Sequence, residues 1–116
     1  MPNSLLVADP DICLVMTTLP SADEAATIAR HVVSTGLAAC KQCSTTPVSS
    51  TYIWKGALET THEVTMTAKT TRAAAPLLCN EIARLHPYDV PEIVVLDVTL
   101  AADSYTRWVH ETVHLT

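Results

Sequence analysis

"ALETTHEVTMTAKTT", residues 57–71, alternates through its second half. Val64, Met66 and Ala68 fall on one side of an extended chain, and Glu63, Thr65, Thr67 and Lys69 on the other. Successive strand side chains point to opposite faces, so this is the pattern of a strand with one buried side. Just upstream, Lys55-Gly56 supplies a turn, because glycine reaches positive φ without strain. Residues from about 49 to 70 therefore read as one long hairpin, apolar on one face and polar on the other.

The elements around the hairpin follow from the same reasoning. "DICLVMTTLP" (11–20) is a short apolar run ended by Pro20 and reads as a buried strand. In "SADEAATIARHVVSTG" (21–36), Ser21 and Glu24 form a capping box, each side chain able to reach the other residue's backbone N–H. Ala25, Ile28, Ala29, Val32 and Val33 then make one apolar stripe at helical spacing, and Gly36 suits the left-handed residue that ends a helix. "LAACKQCSTTPVSSTYIW" (37–54) reads as an irregular strand interrupted near Pro47. A second helix covers 73–85, starting near Ala74 or Ala75 so that Pro76 falls in its first turn, with Leu77, Leu78, Ile82 and Leu85 inward. It stops there because His86 precedes Pro87, and a residue before proline avoids helical geometry. "EIVVLDV" (92–98) is a buried strand, and Asp103 caps a last helix with Tyr105, Trp108, Val109 and Thr112 on one face.

The order β-α-β-β-α-β-α implies an α+β fold, a ferredoxin-like α/β sandwich with an extra C-terminal helix. Two helices cover one face of such a sheet and leave the other open. A long two-stranded arm is weakly stable unless something packs on it. The arm thus predicts a partner, most simply further copies of the same chain.

The composition bounds the function. The chain has 116 residues, 48% hydrophobic and 16% charged, which suits one globular domain. Residues 1–10 read as a flexible leader and 11–116 as the domain. The net charge is −5 and the seven basic residues are scattered from Arg30 to Arg107, which argues against nucleic acid. "MPNSLLVADP" lacks the basic region of a signal peptide, and no run approaches the roughly 18 apolar residues of a membrane span. Cys13, Cys40, Cys43 and Cys79 are then expected to be reduced thiols, and the location cytoplasmic.

Several chemistries fail on sequence grounds. Cys40-x-x-Cys43 follows a helix and enters a strand, whereas a redox pair opens a helix; as a zinc site it lacks a second pair. In a regular strand its two thiols also face opposite ways. A nucleophilic cysteine, Cys40 or Cys79, would need contact with His31, His62 or His86, which nothing in the sequence requires. Two glycines in the whole chain do not make a phosphate loop. No enzymatic reaction is expected. Met16, Cys40, Cys43 and His86 are donor types that suit copper or zinc, and His86 has phenolic and acidic neighbours at Tyr88, Asp89 and Glu92.

"LAAC" (37–40), "YIWKG" (52–56), Glu63, "KTT" (69–71), "HPYDVPEIVVLDV" (86–98) and "YTRW" (105–108) together resemble the CutA family of divalent-cation tolerance proteins. The resemblance runs over roughly residues 12–114. It implies a homotrimer in which the hairpin arms of neighbours pair and close the open sheet faces. It implies an intersubunit cleft at Glu63, Lys69, His86, Tyr88, Glu92 and Trp108. It also implies a role in divalent-cation (copper) tolerance, with weak or conditional binding of copper or another divalent metal ion, for which His86, Cys40 and Met16 are the metal candidates. The alternative is a structural or small-ligand-binding trimer whose polar intersubunit pocket takes an anionic or polar molecule. This chain departs from the family pattern at Met16, where some bacterial members carry Cys, and at Leu85, where His is frequent. "KQCSTTPV" after "LAAC" makes Cys43 peculiar to it.

Overall fold

The computed structural model describes residues 5–115. In chain order the elements are β1 (Leu6–Val7), β2 (Ile12–Leu19), α1 (Ala22–Ser34), β3 (Cys40–Cys43), β4 (Val48–Trp54), β5 (Ala57–Thr71), α2 (Ala75–Leu85), β6 (Ile93–Asp97), β7 (Ala101–Ala102) and α3 (Asp103–Thr112). This is the expected order, with the irregular stretch split into β3 and β4 and a small extra ladder between β1 and β7. Leu6 pairs with Ala102 and Val7 with Ala101, within the stretch read as a leader. Residues 1–4, the remainder of that reading, lie outside the described residues.

The main sheet runs β3-β5-β2-β6, all antiparallel neighbours, with β4 continuing along β5 beyond the end of β3. The alternation in 57–71 decides its two faces. Val64, Met66 and Ala68 of β5 and Cys13, Val15 and Leu19 of β2 are buried under α1 and α2, with Ile28, Val32, Leu78 and Ile82. The opposite, open face is ordered in rows by the strand register. Cys40, Lys69, Leu14 and Leu96 make one row, and Gln42, Thr67, Met16 and Val94 the next.

Local chemistry sets the helix ends. The Ser21 hydroxyl accepts from the Glu24 N–H at 3.2 Å and donates to the Glu24 carboxylate at 3.0 Å, so the box closes side chain to side chain. At the other end Gly36 sits at φ 81, with its N–H on the Val33 carbonyl and the Leu37 N–H on Val32, the paired closure of a left-handed helix stop. Helix α2 starts at Ala75 with Pro76 in the first turn. For α3 two expectations change. Asp103 is the first helical residue, not the cap; its N–H bonds the Leu5 carbonyl and its carboxylate the Arg107 guanidinium. The inward face is Thr106 and Val109, while Tyr105 and Trp108 are exposed.

Past the body, β4 and β5 continue as a two-stranded arm. Its turn holds both Lys55 (φ 50) and Gly56 (φ 81) in the left-handed region, the hairpin geometry that matches strand twist. The arm stretches the molecule to 56 × 33 × 24 Å and its radius of gyration to 15.7 Å, against about 13 Å for a compact chain of this length.

Candidate functional site

The site starts where α2 ends. Pro87 forces His86 out of the helix into an extended conformation, ψ 137. That turns the imidazole back against the end of β2. Nε2–H donates to the Thr18 carbonyl at 2.7 Å, and Nδ1 accepts the Tyr88 N–H at 3.2 Å. Both ring nitrogens are engaged, the residue is only 8% exposed, and its ring lies 4.9 Å from that of Tyr88. His86 is therefore a brace that aims Tyr88. The Tyr88 phenol donates to Glu63 Oε2 at 3.0 Å. Burial, with the Glu63 carboxylate next to it, pushes the Tyr88 hydroxyl up to about 12, so it stays a donor at neutral pH.

Glu63 itself is 7% exposed, at the point where the arm leaves the body. Beside it opens a cavity of about 710 Å³. Thr18 and Glu63 line it from the body, Ser50, Thr51, Tyr52 and Trp54 from the arm, and Pro87, Tyr88, Asp89, Val90 and Glu92 from the loop after α2. Three carboxylates and three aromatic rings share it, and no basic residue lines it.

Of the six expected cleft residues, Glu63, His86, Tyr88 and Glu92 come together here. Lys69 does not. It lies six residues further along β5, about 20 Å at strand spacing, beside Cys40 and bonded to Gln42. Trp108 is on the outer side of α3, its ring 5.5 Å from Tyr105. The open face thus carries a carboxylate and phenol group at one end and an ammonium at the other. The expected metal donors are dispersed within one chain. Cys40 and Met16 sit two strands apart and one row off, roughly 10 Å or more, and the His86 nitrogens are committed. Among the described residues, no three His, Cys, Asp or Glu side chains gather as a metal site.

The cysteines behave as core and surface groups. Cys40 and Cys43 fall on opposite sheet faces, as alternation requires, and no cysteine is in a disulfide. Burial raises the thiols of Cys13, Cys43 and Cys79, which opposes thiolate chemistry. His31 is bound instead to Glu81, at 2.7 Å. Two further features follow from the strand register. Tyr52 and Trp54 join the cavity because the two-residue turn pairs Trp54 with Ala57 and Tyr52 with Glu59, on the same face as Glu63; turn length and alternation together carry that signal. Lys41 points to the helix side, its ammonium buried without a hydrogen-bond partner, and only its alternation with Cys40 hints at it.

The profile of the CutA1 divalent ion tolerance protein family matches residues 13–112. The divalent-cation tolerance protein CutA of Thermus thermophilus is 38% identical over 98 residues, 84% of this chain and 94% of that one. Among solved structures, CutA from Synechococcus elongatus superposes with a TM-score of 0.89 at 32% identity, covering 94% of this chain and 96% of that one. The periplasmic divalent cation tolerance protein CutA of Archaeoglobus fulgidus does so at 0.85 and 28%, over 89% and 99%. Fold, register and sequence agree, and this chain belongs to the CutA1 family of divalent ion tolerance proteins.

Proposed function

We propose that this chain acts in divalent-cation tolerance as a self-associating binding protein, most simply a homotrimer, and that the cleft over Glu63, Tyr88 and Glu92 is its working site. One observation carries the reading: Glu63 is a carboxylate 7% exposed, tied to a single phenol beside an open cavity. Such a group is held ready for a positive ligand. Self-association is supported by the exposed apolar side chains on the arm face away from the cavity, Ile53 and Leu58, and of the sheet edge, Val94 and Leu96. A neighbour docked with its opposite end against this cleft would bring Lys69 and Trp108 to Glu63, His86, Tyr88 and Glu92. It would also carry Cys40 and Met16 towards a bound copper or other divalent ion. Binding without catalysis fits the raised thiols and the fully bonded His86. Four unpaired thiols suit a cytoplasmic location.

Sedimentation of the full chain tests the assembly. A species near three times 12.5 kDa is expected, and a monomer overturns it. Calorimetry with Cu(II) and Zn(II) tests the cleft: Glu63→Gln and Glu92→Gln should weaken binding. Ion binding indifferent to both removes it. A second reading, a small-molecule cleft, is favoured by the cavity volume. About 710 Å³ lies within the few hundred to 1,000 Å³ typical of small-molecule sites, far beyond the room one ion needs.

A further inference from the structure

We infer that the molecule this cleft takes is a small organic cation, an amine or quaternary ammonium, with its charge at Glu63 and its hydrocarbon against Tyr88, Tyr52 and Trp54. This rests on the second reading of the cleft given above. Size comes first: the cavity holds a molecule of many atoms.

Charge selects the class. Glu63, Asp89 and Glu92 line the cavity and no Lys, Arg or His does. A neighbour's Lys69 would set one ammonium against three carboxylates, so the cleft stays negative even when closed. An anionic ligand would meet a buried carboxylate head on, and burial strengthens that repulsion. The wall chemistry then separates an organic cation from a metal ion. Tyr52, Trp54 and Tyr88 line the cavity; aromatic rings attract a desolvated ammonium, as the Lys55 ammonium 5.8 Å over the Trp54 ring already illustrates, and cover alkyl carbons. They give a divalent ion no charged oxygen. Oε2 of Glu63 is already held by the Tyr88 phenol, and no three acidic or imidazole groups converge among the described residues. An ammonium needs only one carboxylate oxygen and aromatic cover, and that is what the cleft offers.

The test titrates the full chain by calorimetry with choline chloride, spermidine hydrochloride, sodium citrate and zinc chloride, after sedimentation has established its assembly. Saturable binding of choline or spermidine is expected, weakening as salt rises, with citrate silent. Glu63→Gln should weaken it by about tenfold or more, as the loss of a charge-assisted contact implies. Trp54→Ala should do so by a smaller factor. Because Glu63 is buried, Glu92→Gln at the exposed rim serves as a second variant and should also weaken binding. An assembled chain that binds neither organic cation, or binds them unchanged in all three variants, overturns this inference alone. So does citrate binding tighter than either cation, or zinc bound in the same cleft with choline unable to compete. A chain that sediments as a monomer overturns the reading beneath it.

Discussion

Tyr88 and Glu63 lie 25 residues apart in sequence and share a 3.0 Å hydrogen bond from phenol to carboxylate. The bond joins the loop after α2 to the root of the arm. It settles a buried acceptor and fixes the aromatic wall of the cleft in one contact.

Tyr88→Phe should therefore destabilise the protein by about 1–3 kcal/mol, the cost of leaving a buried carboxylate without its donor. Urea midpoints check this. In the wild type, burial and Glu63 raise the folded Tyr88 to about 12 from 10.0. An acid whose folded value is raised contributes stability below its unfolded value, and that stability is lost as pH rises from 10 towards 12. Burial also raises Tyr105, so absorbance titration should show Tyr88 as the last of the three tyrosines to ionise, towards pH 12, and Tyr88→Phe should abolish that last phase.

Lys41 works in the other direction. Its ammonium is buried without a hydrogen-bond partner, and desolvation lowers it from 10.5 to about 8. Below pH 8 the folded state carries a buried charge, while between 8 and 10.5 only the unfolded chain holds the proton. Stability should then rise with pH across that window. Lys41→Met should stabilise the protein at pH 7 by on the order of 3 kcal/mol and flatten the rise. The raised thiols of Cys13, Cys43 and Cys79 act oppositely above pH 9, so the test is the difference between wild-type and Lys41→Met melts from pH 7 to 10.5; a difference that does not change with pH would refute this.

Gly36 is confined twice. Its φ is 81, and a Cβ there would lie 2.5 Å from the His114 imidazole. Gly36→Ala should cost about 2 kcal/mol or more, combining the left-handed penalty with the clash. In Gly36→Ala/His114→Ala the clash is gone and the backbone penalty stays, so the double variant should lose less than the sum of the two single losses. Strict additivity in denaturant melts would show that the ring does not matter.

Lys55 is the one non-glycine residue at positive φ among those described. Lys55→Asn or Lys55→Gly should stabilise the arm by roughly 0.5–1 kcal/mol, because both tolerate the turn better than lysine. Hydrogen exchange of the β4 and β5 amides should slow in either variant.

Much of this architecture was legible in the sequence because local rules agreed. The alternation of 57–71, the Ser21 box, Gly36 and the His86–Pro87 pair each specify geometry within a few residues. Glu63, Tyr88 and Glu92 were recoverable through resemblance, since nothing local to residue 63 announces Tyr88. The positions that local rules do not fix depend on packing at long range. Asp103 loses its capping place because the Leu5 carbonyl meets its N–H from nearly a hundred residues away. Trp108 faces outward because the smaller Val109 packs against Ile12, Ala39 and Ala74, with Thr106 buried on the same side of the helix. Thr106 is held there by Asp9, which also accepts from His110 at 2.8 Å. Lys69, expected in an intersubunit cleft, stands six residues, about 20 Å, along β5 from Glu63 in the same chain.

That separation of the two ends gives the open face a direction. With acid and phenol at one end and ammonium at the other, contact between copies in the proposed assembly would join unlike surfaces. Such a contact is heterologous: repeated around an axis it closes into a ring only at particular rotations, and at any other it continues as a fibre. The stoichiometry of that proposed assembly would then be set by an angle, not by the size of the patch. The tilt of the arm against the body would set that angle; the four residues between Cys43 and Val48 and the Tyr88–Glu63 bond lie at its root. Lengthening that link should change how many copies complete a circle before it changes how tightly any two adhere.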